Sequence, residues 1–325
     1  MRVLVTGAGG YIGSIAVERL LHHGHEVVAV DNLCRGHRTA IHPAAAFVEC
    51  DLRDADAVRG VVSSSRAEAV LHFAALTLVG ESVEQPAEYY ATNVVGGLNL
   101  LEAVRCSKVS RFVFSSTAAV YGDPTQLPLH EDGPKEPINP YGRTKLSLEW
   151  ALASYAESYE INFAALRYFN VAGATAERGE DHSPETHLIP AILLTLLGKR
   201  DAFVLNGTDF PTPDGTAIRD YVHVVDLADA HISALERLDQ PLGAINLGTK
   251  DGFSVQQIID SAEQITGKKL SVTHGPRRAG DTAALVADTI RARELLHWNP
   301  TRSNLQEMIG SAWEWFQHNP QGYLD

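Results

Sequence analysis

RVLVTGAGGYIGSIAVERLLHHG, residues 2–24, decides the fold. Residues 2–6 are a short β-branched run of the kind that forms a buried strand. Gly7, Gly10 and Gly13 follow in a G-x-x-G-x-x-G pattern, and a helical stretch comes next. Strand, glycine turn and helix in that order suit a dinucleotide pyrophosphate. The missing side chains let backbone amides approach the phosphates, and the helix N-terminus favours negative charge. A glycine turn alone also occurs in unrelated α/β proteins. Here a second strand, EVVAV (26–30), runs into Asp31, eighteen residues after Gly13. That is close to the spacing of the acid that binds an adenosine ribose. A carboxylate there repels a 2′-phosphate, so the sequence favours NAD over NADP. Arg35 and Arg38 blur this preference slightly and read as surface arginines.

Outward from this unit the chain keeps alternating strand and helix. Strands are expected at AFVEC (46–50), AVLHFA (69–74), RFVFSS (111–116) and INFAALRY (161–168), with helices near 54–62, 87–107 and 141–159. The rhythm predicts an α/β fold, a Rossmann-type doubly wound parallel sheet. After residue 170 it loosens into ERGEDHSPETH and FPTPDGT, which read as loops. A helix near 224–238 and the strand AINLG (244–248) return to the main sheet. The expected division is a dinucleotide-binding domain over 1–170, with 221–248 returning to it. A smaller, interleaved C-terminal substrate-binding domain takes 171–220 and 249–325.

Composition bounds the function. The 325 residues are 45% hydrophobic and 21% charged, ordinary for a globular enzyme. The apolar runs are too short to span a bilayer, and no signal peptide precedes the first strand. Cys34, Cys50 and Cys106 lack metal-type spacing, so no metal site is read, and they suit a reducing cytoplasm. A formal charge of −13 argues against nucleic acid as a partner, and it requires a local basic cluster for any anionic substrate.

NPYGRTK (139–145) carries the chemistry. Asn139 is a good N-cap and Pro140 suits the first helical position. Tyr141 and Lys145 then lie one turn apart on the same helix face. The positive helix end and the lysine ammonium are both expected to lower the phenol pKa from its usual value of about 10. A surface tyrosine above a solvated lysine would give the same pentapeptide; the dinucleotide unit upstream favours the catalytic reading.

GAGGYIG, DNLCRGH, LHFAALTLVGES, NVVGGLNLLEA, FVFSSTAAVYG, NPYGRTK, LRYFNVAGA, PTPDGTAIRDYVHVVDLADAH and RRAGD, in this order, resemble the UDP-glucose 4-epimerase family. That family is a branch of the extended short-chain dehydrogenases/reductases. The resemblance runs to about residue 300. It implies C4 epimerisation of UDP-galactose and UDP-glucose through a 4-keto intermediate, with tightly bound NAD taking and returning the hydride. Tyr141 would exchange the O4 proton, Thr117 would hydrogen-bond O4, and Lys145 would assist. Related 4,6-dehydratases carry an Asp-Glu pair after the position of Thr117; here Ala118-Ala119 cannot move protons.

The resemblance also assigns binding residues. For NAD these are Gly7, Gly10, Tyr11, Ile12 and Gly13 on the phosphate turn, and Asp31, Asn32, Leu33, Cys34, Arg35 and Gly36 around the ribose. Asp51 and Leu52 lie at the adenine; Phe73, Ala74, Ala75, Thr77 and Phe169 line the cofactor. Thr77 replaces a lysine found in some relatives. Asn93 matches an asparagine supporting the catalytic lysine. For the UDP-sugar, Arg219 and Arg278 match the two arginines on the diphosphate, whose planar forks suit phosphate oxygens. Asn170 contacts the diphosphate or sugar, Asp281 the uridine ribose, and His187 and Leu188 the uracil, with Val204 nearby. Asn206 stands where many relatives have the base-stacking phenylalanine, and Phe203 or Phe210 can replace it. Leu285 lines the hexose pocket.

A homodimer is implied through the helices near 87–107 and from Pro140, with Leu98, Leu101, Val104, Leu148 and Leu152 as interface candidates. Alternatives stay open at this point: an epimerase of UDP-N-acetylhexosamine or UDP-pentose, an NAD-dependent nucleotide-sugar oxidoreductase, or a non-catalytic NAD-sensing protein.

Overall fold

Val3, Leu4 and Val5 are almost wholly removed from solvent, which fits a strand in the middle of a sheet. The computed structural model describes residues 1–277 and 281–325. Its main sheet contains β1 (Arg2–Thr6), β2 (Glu26–Asp31), β3 (Ala46–Glu49), β4 (Ala69–His72), β5 (Arg111–Thr117) and β6 (Asn162–Tyr168), joined late by Gly243–Leu247. The spatial order is Gly243–Leu247, β6, β5, β4, β1, β2, β3, and every pairing is parallel. The chain therefore winds outward in both directions from β1. The order reverses between β1 and β4, and a ligand cleft belongs outside the carboxyl ends of these strands.

Side chains alternate across β1, so each sheet face needs its own cover. Val3 and Val5 pack with Val17 and Leu20 of α1 (Tyr11–His22) and with Leu227 and Leu235 of helix Val224–Glu236. Leu4 faces the other way, into a cluster with Val58, Leu100, Leu101, Val104, Leu148 and Leu152. Four of the five residues proposed for a dimer interface, Leu101, Val104, Leu148 and Leu152, thus fill the protein's own core; only Leu98 stays exposed.

The helix expected near 87–107 is not uniform. α-Helical Pro86–Tyr89 and Gly96–Cys106 are joined by a π-helical turn, Tyr90–Val95, which carries Asn93. A further core gathers helices Leu188–Leu196, Val255–Thr266 and Leu305–His318 around Ile192, Ile258, Met308 and Trp315. Its strands Phe203–Asn206 and Val272–Gly275 pair in parallel. The stretch 249–325 is not all on this side: Ala292, Leu296 and Trp298 pack into the core under the main sheet. Among the described residues, no helix is long and apolar enough to cross a membrane.

One buried ion pair ties β6 to the helix beside it. Arg167 on β6 forks onto Glu149 of helix Pro140–Ser158 at 2.9 and 2.5 Å, and both side chains are almost completely buried. Ser116 also donates to Glu149, while Arg167 donates to the Tyr121 hydroxyl and the Glu131 carbonyl. Glu149→Ala would leave the guanidinium buried without its counter-charge. The expected loss is about 3–5 kcal/mol of unfolding free energy, read from the urea midpoint.

Candidate active site

Outside the carboxyl ends of β1, β4, β5 and β6 runs a continuous cleft of ≈ 1680 Å³. Its first wall is the glycine turn. Gly7 has φ +72°, and a Cβ there would lie 2.5 Å from the Ala74 amide nitrogen. A Cβ on Gly13 would lie 2.0 Å from the Gly7 carbonyl oxygen. Gly10 caps α1 with no side-chain bond, so amides of the first turn remain available to an anion. The turn therefore fits a dinucleotide pyrophosphate. Tyr11 donates its hydroxyl to the Gly173 carbonyl at 2.5 Å, which pins this turn to the segment after β6.

Asp31 closes β2 and is buried. Its carboxylate accepts the Gly9 and Leu33 amides at 2.9 and 2.8 Å, while burial raises its pKa. Of the two nearby arginines, Arg35 pairs with Glu81 at 2.5 Å, and Arg38 lies over the Phe47 ring at 4.4 Å. Asn32 donates to Asp51, whose own pKa is lowered to about 2 chiefly by Arg53. Ile12, Cys34, Gly36, Leu52, Phe73, Ala75, Thr77 and Phe169 also line the cleft.

Two expected cofactor residues stand elsewhere. Leu33 adopts φ 57° and does not line the cleft; it contributes its amide to Asp31. Asn93 is buried and does not line the cleft. Its amide exchanges hydrogen bonds with the Leu76 backbone and donates to the Thr144 hydroxyl. It therefore braces the segment after β4 against the helix that carries Tyr141.

Thr117, Tyr141 and Lys145 converge as expected, all three buried and all on the cleft. Asn139 caps the helix by accepting the Gly142 amide at 2.8 Å, with Pro140 at the first position. The electrostatics differ from expectation. Burial pushes the Tyr141 phenol up to about 12, and the neighbouring Thr117 hydroxyl pulls it back only in part. Lys145 donates to the Ser115 carbonyl at 2.9 Å, and its ammonium is 6.0 Å from the centre of the Tyr141 ring. Burial lowers Lys145 to about 7, against the opposing pull of Glu149. For Tyr141, desolvation outweighs the hydrogen bond from Thr117.

Across the cleft lie Asn170, His187, Leu188, Val204, Asn206, Arg219, Asp281 and Leu285. Arg219 donates to the Ile218 and Thr282 carbonyls and sits 3.8 Å from Asp281. Leu285 pairs in register with Arg219 and packs on the cluster that contains Ala118 and Leu146. Arg278 falls outside the described residues. Phe203 lines the cleft, but Phe210 does not; Arg277 stacks over its ring at 4.3 Å.

The sequence profile of the NAD dependent epimerase/dehydratase family matches residues 3–248. The UDP-glucose 4-epimerase of Lacticaseibacillus casei is 45% identical, over 100% of this chain and 99% of that one. The chain belongs to the UDP-glucose 4-epimerase family. Solved structures of UDP-glucose 4-epimerases agree. That from Brucella ovis, in complex with NAD, has a TM-score of 0.94 and 44% identity, covering 97% of this chain and 98% of its own. That from Stenotrophomonas maltophila, with bound NAD and formylated UDP-arabinopyranose, has a TM-score of 0.95 and 39% identity, covering 99% and 100%.

For a member of this epimerase family, one part of the cleft wall was not legible beforehand. Glu180, His182 and Glu185 line it beside His187, with ligating atoms of all four within 4.8 Å of one another. The sequence showed only a polar loop there; the signal was the alternation Glu-x-His-x-x-Glu-x-His. The carboxylates raise His182 to about 9 and His187 to about 10, against the opposing effect of burial.

Proposed function

We propose that the protein interconverts UDP-glucose and UDP-galactose at C4, through a 4-keto sugar, with NAD as its resident cofactor. The observation that carries this reading is the convergence of Thr117, Tyr141 and Lys145 on one cleft whose other end is the glycine turn. The NAD-bound relatives support the cofactor. When bound, NAD supplies a reversible hydride acceptor and a cationic ring that favours the Tyr141 phenolate. Tyr141 takes the proton from the sugar O4 as C4 is oxidised, and returns it when C4 is reduced on the opposite face. Thr117 holds O4 by a hydrogen bond. Lys145, poised near neutrality, adds positive charge to the same corner when protonated. Ala118 and Ala119 offer no acid or base, so water is not eliminated from C5 and C6. Arg219, with Arg278, grips the diphosphate, and Asn170 and Asp281 hold the sugar and ribose side.

Residues 171–220, with the part of 249–325 that packs beside them, form the substrate-binding unit in this reading. The chain works in the cytoplasm, and its three cysteines are all free, which suits a reducing compartment. Nucleic acid is not a partner. Two copies associate through Tyr90, Val95, Leu98 and Trp150, apolar residues that stay exposed on the two helical segments expected at the interface. Light scattering at micromolar concentration should give the mass of a dimer; a monomer mass rejects this surface.

Tyr141→Phe removes the group that moves the O4 proton. Turnover of UDP-galactose should fall by about 10²-fold or more, while UDP binding and NAD content stay as in wild type. Near-normal turnover would remove Tyr141 from the mechanism.

Leu285 is smaller than tyrosine and lies beside Ala118 on the cleft, so the C2 side of the sugar is open to more than a hydroxyl. Weak epimerisation of UDP-N-acetylglucosamine is expected. Leu285→Tyr should suppress that activity selectively, since crowding a packed pocket costs on the order of 1–3 kcal/mol. Parallel assays of the two sugar pairs check this, and equal effects on both show that Leu285 is not the gate.

A further inference from the structure

The carboxylates of Glu180 and Glu185 are both 6% exposed, and among the described residues no Lys or Arg forms a salt bridge with either. Burying two carboxylates needs compensating positive charge. Among the described residues their salt-bridge partners are the imidazoles of His182 and His187, and Glu185 also accepts the His187 amide at 2.7 Å. The Nδ1 of His182 is 3.1 Å from Glu180 and 3.6 Å from Glu185, and the Nδ1 of His187 is 2.8 and 2.9 Å from the same two groups. Two nitrogens and two carboxylate oxygens thus surround one point. Ligands at about 2.0–2.2 Å from a tetrahedral zinc lie roughly 3.4 Å from one another, so a small adjustment would place an ion between them.

We propose that Glu180, His182, Glu185 and His187 bind one divalent transition-metal ion of the zinc type. Two imidazoles with two carboxylates suit zinc or its first-row neighbours, whereas magnesium and calcium prefer all-oxygen sets. Arginines also hold the segment's backbone. Arg35 donates to the Ser183 carbonyl at 3.1 Å, and Arg200 donates to the Glu185 carbonyl at 2.7 Å. These two arginines and the bond from the His187 amide to Glu185 at 2.7 Å hold the loop path that presents the four side chains together. His182 also meets the Tyr11 ring edge-on at 6.4 Å. A bound ion would stiffen the wall between the glycine turn and helix Leu188–Leu196, and the partly exposed His187 gives it a route in from the cleft.

The test is metal binding and does not depend on the proposed reaction, so a failed epimerase assay bears on that reading alone. Tag-free protein, stripped with a chelator and dialysed, is titrated with cobalt(II) and then with zinc(II). We expect saturation at one equivalent per chain, visible cobalt bands that zinc abolishes, and a thermal midpoint that rises with zinc. Glu180→Gln and His182→Asn, each checked for folding by circular dichroism, should weaken binding by about 100-fold or more. Absence of saturable binding by wild type overturns the site, whether or not the variants fold. Saturable binding that folded variants retain at full strength overturns it as well.

Discussion

Under the floor of the cleft a guanidinium and a carboxylate are held away from water, and the catalytic geometry depends on their meeting. Glu149 sits one helical turn after Lys145, and Arg167 lies on β6 in register with Ser116. Ser116 precedes Thr117 and donates to the same carboxylate. A single charged cluster therefore joins the helix that carries Tyr141 and Lys145 to the strand that carries Thr117. Such a pair gains little net stability over an apolar substitute, because desolvation offsets its attraction. It does fix one arrangement of helix against sheet, since any shift would strand a buried charge.

Desolvation also sets the protonation of the site. Tyr141 is pushed up to about 12 and Lys145 down to about 7 by the same cause, burial of their charged forms. A buried phenol that holds its proton, beside an amine near neutrality, is poised rather than pre-ionised. A cationic ring and a reacting oxygen placed against such a pair act in a medium of low dielectric, where each charge counts for more than in water. The wider acidity of the chain leaves room for local positive potential on the cleft: amides at the head of α1 on one side and the Arg219 guanidinium on the other.

Much of this was legible in the chain itself, because it rests on local rules. A β-branched run, glycines at the spacing of a turn and an acid at the end of the next strand specify a dinucleotide unit through contacts within about thirty residues. Asn139 and Pro140 fix a helix start wherever that helix packs. Periodicity alone gave the parallel sheet, and the late strand Gly243–Leu247 joins it as the alternation implied.

What only the tertiary structure decided are quantities that depend on neighbours distant in sequence. Burial raises the Tyr141 pKa, and burial is a property of the packed molecule. Asn93 turned out to brace Leu76 and Thr144 because a π-helical turn aims it there, which no propensity signals. Leu101, Val104, Leu148 and Leu152 read alike as core or interface until their exposure was known, since both burials use the same side chains. The four ligating groups at 180–187 looked like a polar loop, because an irregular backbone brings side chains together by its path rather than by a period. The sequence by itself determined which chemistry was present and on which elements; the fold determined what each group touches.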